Sequence, residues 1–228
     1  MSLSDESLFR EVDEEVRRQK VQELWNRWGN LFIAISLAVI VLVAGYKGWQ
    51  YWELKRSEEA ARDYFAAVQL ADQGKSADAA KKFAEVASGG HQGYAFLARM
   101  NMAAELAASG KKDEAVKIYD EIASAAGLDP NLRSAARLRA ALLLVDTAGR
   151  DVIVERVGSL NTPDNVWRNE AREILALAAY RANDYSEADR QMSEVMVDQD
   201  APPNLRQRAQ VMISLLAPHL DDKQPAAQ

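Results

Sequence analysis

The chain has 228 residues, a net charge of −6 and no cysteine, which leaves no disulfide, no thiol nucleophile and no cysteine-ligated zinc. Past Trp52 there are 22 basic and 27 acidic residues, so the larger part of the chain is itself acidic and shows no basic face of the kind a nucleic acid demands. Hydrophobic residues make up 48%, drawn largely from alanine and leucine, with few glycines and prolines. That composition predicts an all-α fold.

Residues 1–7 read as a frayed end. Leu8, Val12, Val16, Leu24 and Trp28 then recur every four or eight positions, with Phe9 and Trp25 beside them. The pattern predicts an amphipathic leader over residues 1–28, either lying on lipid headgroups or docking a partner.

Residues 29–52 form the anchor. Leu31 to Tyr46 contains no charged residue, and the apolar run is continuous around the helix rather than striped. Trp28 and Trp49 bracket it; as a helix they stand roughly 32 Å apart, close to the hydrocarbon thickness of a bilayer. With Trp25, Tyr51 and Trp52 they form the expected interfacial aromatic belt, and the lipid bilayer is the expected partner. Thirty residues with seven acids precede the run, and Lys47, Gly48 and Trp49 make a poor cleavage site. An uncleaved single-pass anchor is expected. The short leader goes more naturally inside, which puts the long C-terminal domain across the membrane, in a bacterium the periplasm.

From residue 53 to 218 an internal period appears. Gly74, Gly110, Gly149 and Asn183 are candidate helix stops, spaced by 36, 39 and 34 residues, a period that marks helical hairpins. Seven positions before each stop stand Ala67, Ala103, Leu142 and Ala176, and five after stand Ala79, Ala115, Val154 and Ala188. Small residues at these positions let two helices approach closely, so each unit is expected to stack on the next. Pro130 behind Asp129 and Pro163 behind Thr162 read as first-turn prolines opening the first helices of units three and four. Pro202 and Pro203 open a further helix, with Leu205, Ala209, Met212, Leu215 and Leu216, expected to cap the array. Residues 219–228 read as a disordered tail.

These residues resemble the tetratricopeptide repeat. The best local match is Gly110-Lys111-Lys112-Asp113-Glu114-Ala115-Val116-Lys117-Ile118-Tyr119, followed by the stretch from Gly74 to Phe83 and that from Asn183 to Ala188. The unit near Gly149 departs, with Val154 and Gly158 where alanine and an aromatic are usual, and the repeat-closing proline is missing throughout. A narrower resemblance covers nearly the whole chain. A polar leader, one anchor, Gly48-Trp49-Gln50-Tyr51-Trp52 directly after it, and then the repeat-like units look like the ancillary subunit of the bacterial Sec translocon. The resemblance implies a periplasmic repeat domain with a chaperone-type role on unfolded, newly exported proteins. It also implies partnership with the translocon and with a membrane-anchored periplasmic prolyl-isomerase-like chaperone.

Enzyme signals are close to nil. His91, in a glycine-rich loop, and His219, near the end, have no partner at ligand or triad spacing, and no metal or other cofactor is expected. What remains is a surface. In the register set by the alanines, the repeat groove is lined by Tyr64 and Val68, Leu97 and Met100, Arg139 and Leu143, and Glu173, Leu177 and Tyr180. This lining is largely apolar, suited to extended hydrophobic segments. The competing reading is a structural subunit or assembly factor of another inner-membrane complex, held through anchor and leader.

Overall fold

The computed structural model describes residues 3–89 and 92–221; ahead of Trp25 it describes side chains only at Arg18 and Gln22. Among the described residues there is no strand. The helices are α1 (Leu3–Asp72), α2 (Ser76–Ser88), α3 (Gln92–Ala108), α4 (Lys112–Ser124), α5 (Pro130–Leu144), α6 (Arg150–Val157), α7 (Arg168–Arg181), α8 (Tyr185–Val197) and α9 (Pro203–Asp221). The chain divides into two compact units, Met1–Glu59 and Ala60–Gln228.

In the first unit the helix begins at Leu3, inside residues 1–7, the stretch the sequence suggested as frayed. The leader stripe of Leu8, Phe9, Val12, Val16 and Leu24 lies outside the described side chains. One stretch of the helix is long and apolar enough to cross a membrane, and only 6% of its most apolar window is buried. A core helix of a soluble fold would be covered instead. Trp25, Trp28, Trp49, Tyr51 and Trp52 are all exposed.

The second unit is an α-solenoid of helix pairs, opened by the last turns of α1 and closed by α9. Three of its first helices stop in the same way. Gly74, Gly110 and Asn183 have φ of 73°, 87° and 58°. Each of these residues donates its N–H to the carbonyl three back, and the following residue reaches five back: Lys75 to Leu70 at 3.0 Å, Lys111 to Leu106 at 2.9 Å, Asp184 to Ala179 at 2.9 Å. This left-handed cap satisfies carbonyls the helix would leave orphaned, and it turns the chain sharply into the partner helix.

Unit three departs from this rule, and the expected stop at Gly149 is corrected. Gly149 has φ −65° and ψ 154°, and it is the N-cap of α6 rather than the end of α5. The last carbonyl of α5, Leu144, accepts from the Thr147 and Ala148 N–H groups at 2.9 and 2.8 Å, and just past the helix the Arg181 guanidinium of the next unit reaches the Val145 carbonyl at 2.6 Å and that of Ala148 at 3.3 Å. The register of the unit therefore slips by one residue. Ala141, Ile153 and Val157 are fully buried at positions the period assigned to Leu142, Val154 and Gly158, while Leu142 and Val154 are 45% and 42% exposed. In the other three units the expected alanines, Ala67, Ala103 and Ala176 with Ala79, Ala115 and Ala188, are all fully buried.

Four apolar clusters run along the array, each drawn from neighbouring helices. Phe83 anchors the first, Ile122 and Tyr119 the second, Ile153 and Val157 the third, and Met192 with Leu205 and Leu216 the last. Burying such a side chain is worth about 1.5–3 kcal/mol at most. Polar ties then join successive units at close to one repeat of separation. Asn101 donates to the Tyr64 hydroxyl at 2.7 Å, Arg156 forks onto Asp120 at 2.5 and 3.0 Å, Arg150 meets Asp184 at 2.9 Å, and Arg208 forks onto Glu173 at 2.5 and 2.8 Å.

Two further expectations are corrected. Pro130 does open α5, with the Asp129 carboxylate accepting from the Asn131 N–H at 2.8 Å. Pro163 does not open α7: Thr162 and Pro163 start a turn closed by Asn165, whose side chain accepts the Trp167 N–H at 2.9 Å just before the helix begins. Near the other end, α9 continues through His219 and Leu220 to Asp221 because Leu220 packs on the last cluster and His219 stacks on Tyr185. The remainder of the expected tail, 222–228, lies outside the described residues.

Candidate functional site

A cavity of about 430 Å³ opens between α7 and α9, with α8 beneath it. Its floor is Met192, 1% exposed, and its walls are Glu173, Leu177 and Tyr180 from α7 with Arg208, Val211 and Leu215 from α9. Helix periodicity explains the α9 wall. Leu205, Ala209, Met212 and Leu216 recur at three or four residues and pack into the last cluster. Val211 and Leu215 stand aside from that stripe, 56% and 62% exposed. The face of α9 turned away from the array carries Gln210 and Ser214, both exposed. The capping helix is thus polar toward solvent and apolar only along the groove, a pattern that a simple terminal cap does not require.

The groove has two unlike ends. At one, the Arg208 fork on Glu173 closes the space between α7 and α9 with a charge-neutral pair. At the other, Tyr180 lies 5.7 Å from Tyr185, which stacks on His219 with centroids 4.2 Å apart at 17°. The turn that aims α9 is fixed by Asp198. Its carboxylate accepts from Arg168 at 2.6 and 2.8 Å and from Arg172 at 3.0 Å, while Arg168 also holds Asp200 at 2.7 Å. The Arg168 guanidinium holds the Asp198 carboxyl well below the usual carboxylate range, and Asp198 is only 11% exposed. Behind this node, the nearly buried Asn169 and Gln191 are satisfied by Arg172 and Asn161.

Of the groove residues expected from sequence, the cavity brings together Leu177 and Tyr180, with Glu173 beside them. Tyr64 and Val68 are half-buried in the first cluster, where the Tyr64 ring lies 5.5 Å from Phe83 and 5.6 Å from Tyr94. Met100 and Leu143 are half-buried against the second cluster. Leu97 is 43% exposed, and Arg139 is exposed on α5, neither lining the cavity. Because unit three is shifted by one, Leu138 and Leu142 take the positions assigned to Arg139 and Leu143; Leu138 is buried and Leu142 faces solvent. The α9 wall of Arg208, Val211 and Leu215 was missed by sequence reasoning, although the off-stripe placement of Val211 and Leu215 carries the signal.

The arrangement offers shape and a largely apolar surface. Among the described residues no three His, Cys, Asp or Glu side chains gather as metal ligands would. His91 lies outside the described residues.

Comparison with the curated proteins gives no match, and comparison with the solved structures gives none. Comparison with protein families does. The tetratricopeptide repeat-like domain family matches residues 22–174, from just before the anchor to the middle of α7, so α8 and the α9 wall of the groove lie beyond the matched span. The match takes in well over half of the chain, including the helix pairs from α1–α2 to α5–α6, and the chain belongs to the tetratricopeptide repeat-like domain family.

Proposed function

We propose that this protein is a non-enzymatic, membrane-tethered chaperone or scaffold that works beside the Sec translocon, holding apolar segments of newly exported proteins in the groove between α7 and α9. Helical-repeat domains of this kind typically serve as interaction scaffolds, and the apolar helix of the first unit supplies the tether. The observation that carries the reading is the contrast on α9: Val211 and Leu215 are exposed on the groove side, whereas the outward side is polar. Exposed apolar surface on a concave face is a mark of an interaction site. Tethering raises the effective concentration of a weak binder near the exit site.

In this reading the bacterial inner membrane holds the anchor, the leader faces the cytoplasm, and the repeat domain lies in the periplasm beside a membrane-anchored prolyl-isomerase-like chaperone. The support is the sequence resemblance together with the anchor and the repeats. A photo-crosslinking residue at Leu215 or Tyr180 tests it during export. Adducts with nascent chains or translocon subunits are expected there and not from Val152 on α6. No adducts from the groove, with the protein inserted and folded, sink the proposal. A partner retained after deletion of residues 60–228 would move the function to the anchor and leader, as expected of an assembly factor.

A further inference from the structure

Beyond the apolar run, the first unit changes chemistry within a single turn. Tyr51 and Trp52 are 61% and 54% exposed, and each carries a cation four residues on. Lys55 Nζ lies 5.2 Å from the Tyr51 ring centre, and the Arg56 guanidinium carbon lies 4.6 Å from that of Trp52. A four-residue step advances about 6 Å along the helix. Aromatic rings of a spanning helix settle at the boundary between hydrocarbon and headgroup. Held 5.2 and 4.6 Å from these ring centres, the two cations stand at that boundary, in reach of the lipid phosphates.

The chemistry fits that depth. An ammonium or guanidinium held over a ring has lost part of its freedom before any anion arrives. A guanidinium that offers its face to an indole keeps its planar N–H edge for a phosphate, which it can meet with two parallel hydrogen bonds. Between Tyr51 and Arg56, Lys55 and Arg56 stand against the single acid Glu53, for a local charge of 2 − 1 = +1, the complement of one phosphodiester. Glu58 and Glu59 follow after Ser57.

We propose that Lys55 and Arg56, held over Tyr51 and Trp52, bind the phosphate of an anionic phospholipid, so that the chain selects such lipids at this end of its anchor. The proposal rests on the anchoring reading and is independent of the groove. The full chain is reconstituted into bilayers of equal parts phosphatidylglycerol and phosphatidylcholine, extracted in mild detergent, and the retained lipids counted by native mass spectrometry. Wild type is expected to retain phosphatidylglycerol in excess. The Lys55→Gln/Arg56→Gln variant lowers the retained ratio roughly fivefold for each cation removed. Trp52→Leu, which keeps both charges and removes the platform, lowers it about twofold. A Lys111→Gln/Lys112→Gln variant in the repeat domain leaves it unchanged. Excess inorganic phosphate also leaves the ratio unchanged; displacement by it would make this a free-anion site and overturn the lipid assignment. Flotation of the same samples with vesicles separates the failures: a chain that does not float refutes the anchor, whereas a floating chain whose ratio is the same with and without Lys55 and Arg56 refutes this proposal alone.

Discussion

The register slip in unit three makes neighbouring residues respond oppositely to the same substitution. Ile153 is fully buried between α5 and α7, in contact with a cluster that includes Leu138, Val157 and Ile174; Val154, the position favoured by the period, is 42% exposed. Ile153→Ala removes three carbons, about 2.4 kcal/mol of transfer free energy at 0.8 kcal/mol for each. The cavity left behind raises the total to about 3–4 kcal/mol, within the range for buried aliphatic truncations. Val154→Ala removes two half-solvated carbons and costs under about 1 kcal/mol. For a domain of this size each kcal/mol shifts the melting temperature by about 2–4 °C, so Ile153→Ala should lower it by roughly 10 °C and Val154→Ala by no more than about 3 °C. Circular dichroism at the helical minimum, recorded on the full chain in detergent, reads both transitions. Equal losses, or a larger loss for Val154→Ala, would refute the slipped register and restore the alanine-type position to Val154.

Gly110 at the end of α3 and Gly149 at the start of α6 should also part company. A Cβ at Gly110 or Gly149 would meet nothing within 4 Å, so only the backbone distinguishes them. Gly110→Ala, at φ 87°, should cost about 1 kcal/mol, and Gly149→Ala should be neutral or slightly stabilising in the same melts. Arg181→Met keeps the aliphatic stem and deletes the donors to Val145 and Ala148; a loss of about 1 kcal/mol is expected, with faster amide exchange at the end of α5 read by hydrogen–deuterium exchange. Asp198 should contribute to acid stability. Its folded carboxyl titrates below the ordinary value of 3.8, so the stability it contributes is complete above that value and is lost progressively as pH falls further. Asp198→Asn should lower stability at neutral pH and flatten the acid limb of the stability curve between pH 5 and 2; an acid limb as steep as wild type would show that Asp198 does not carry it.

Much of this fold is legible in the chain because its strongest signals are local. Leu31 to Tyr46 needs only length and absence of charge to declare itself. Gly74, Gly110 and Asn183 sit where a left-handed residue must sit, and the alanines around them are the ones that vanish into the interior. Gly149 misled because glycine is as comfortable at a negative φ as at a positive one, and the carbonyls just past α5 are held by a guanidinium from the following unit, a contact that no window around residue 149 contains. The groove was half legible for the same reason. Leu177 and Tyr180 follow from the period of α7, but whether a first-helix residue faces open space depends on the spacing of the next first helix. That spacing half-buries Tyr64, Met100 and Leu143, and the cavity opens where α9 is held by the turn at Asp198.

The ties that join equivalent positions one repeat apart are different at every junction. A hydroxyl meets an amide between units one and two, a guanidinium reaches back to Asp120 between two and three, and Arg150 with Arg181 clasp units three and four from both sides. The last fork, Arg208 on Glu173, fastens the cap. The alanine contacts are generic and would tolerate any order of units; the polar clasps would not. Each module therefore carries an address for its neighbour. A chain with two units exchanged would keep its hydrophobic pattern and its helices, but Arg156 would no longer find an acid and α5 would lose its borrowed donor. The clasps make the stack an ordered one, with the groove at the end that α9 closes.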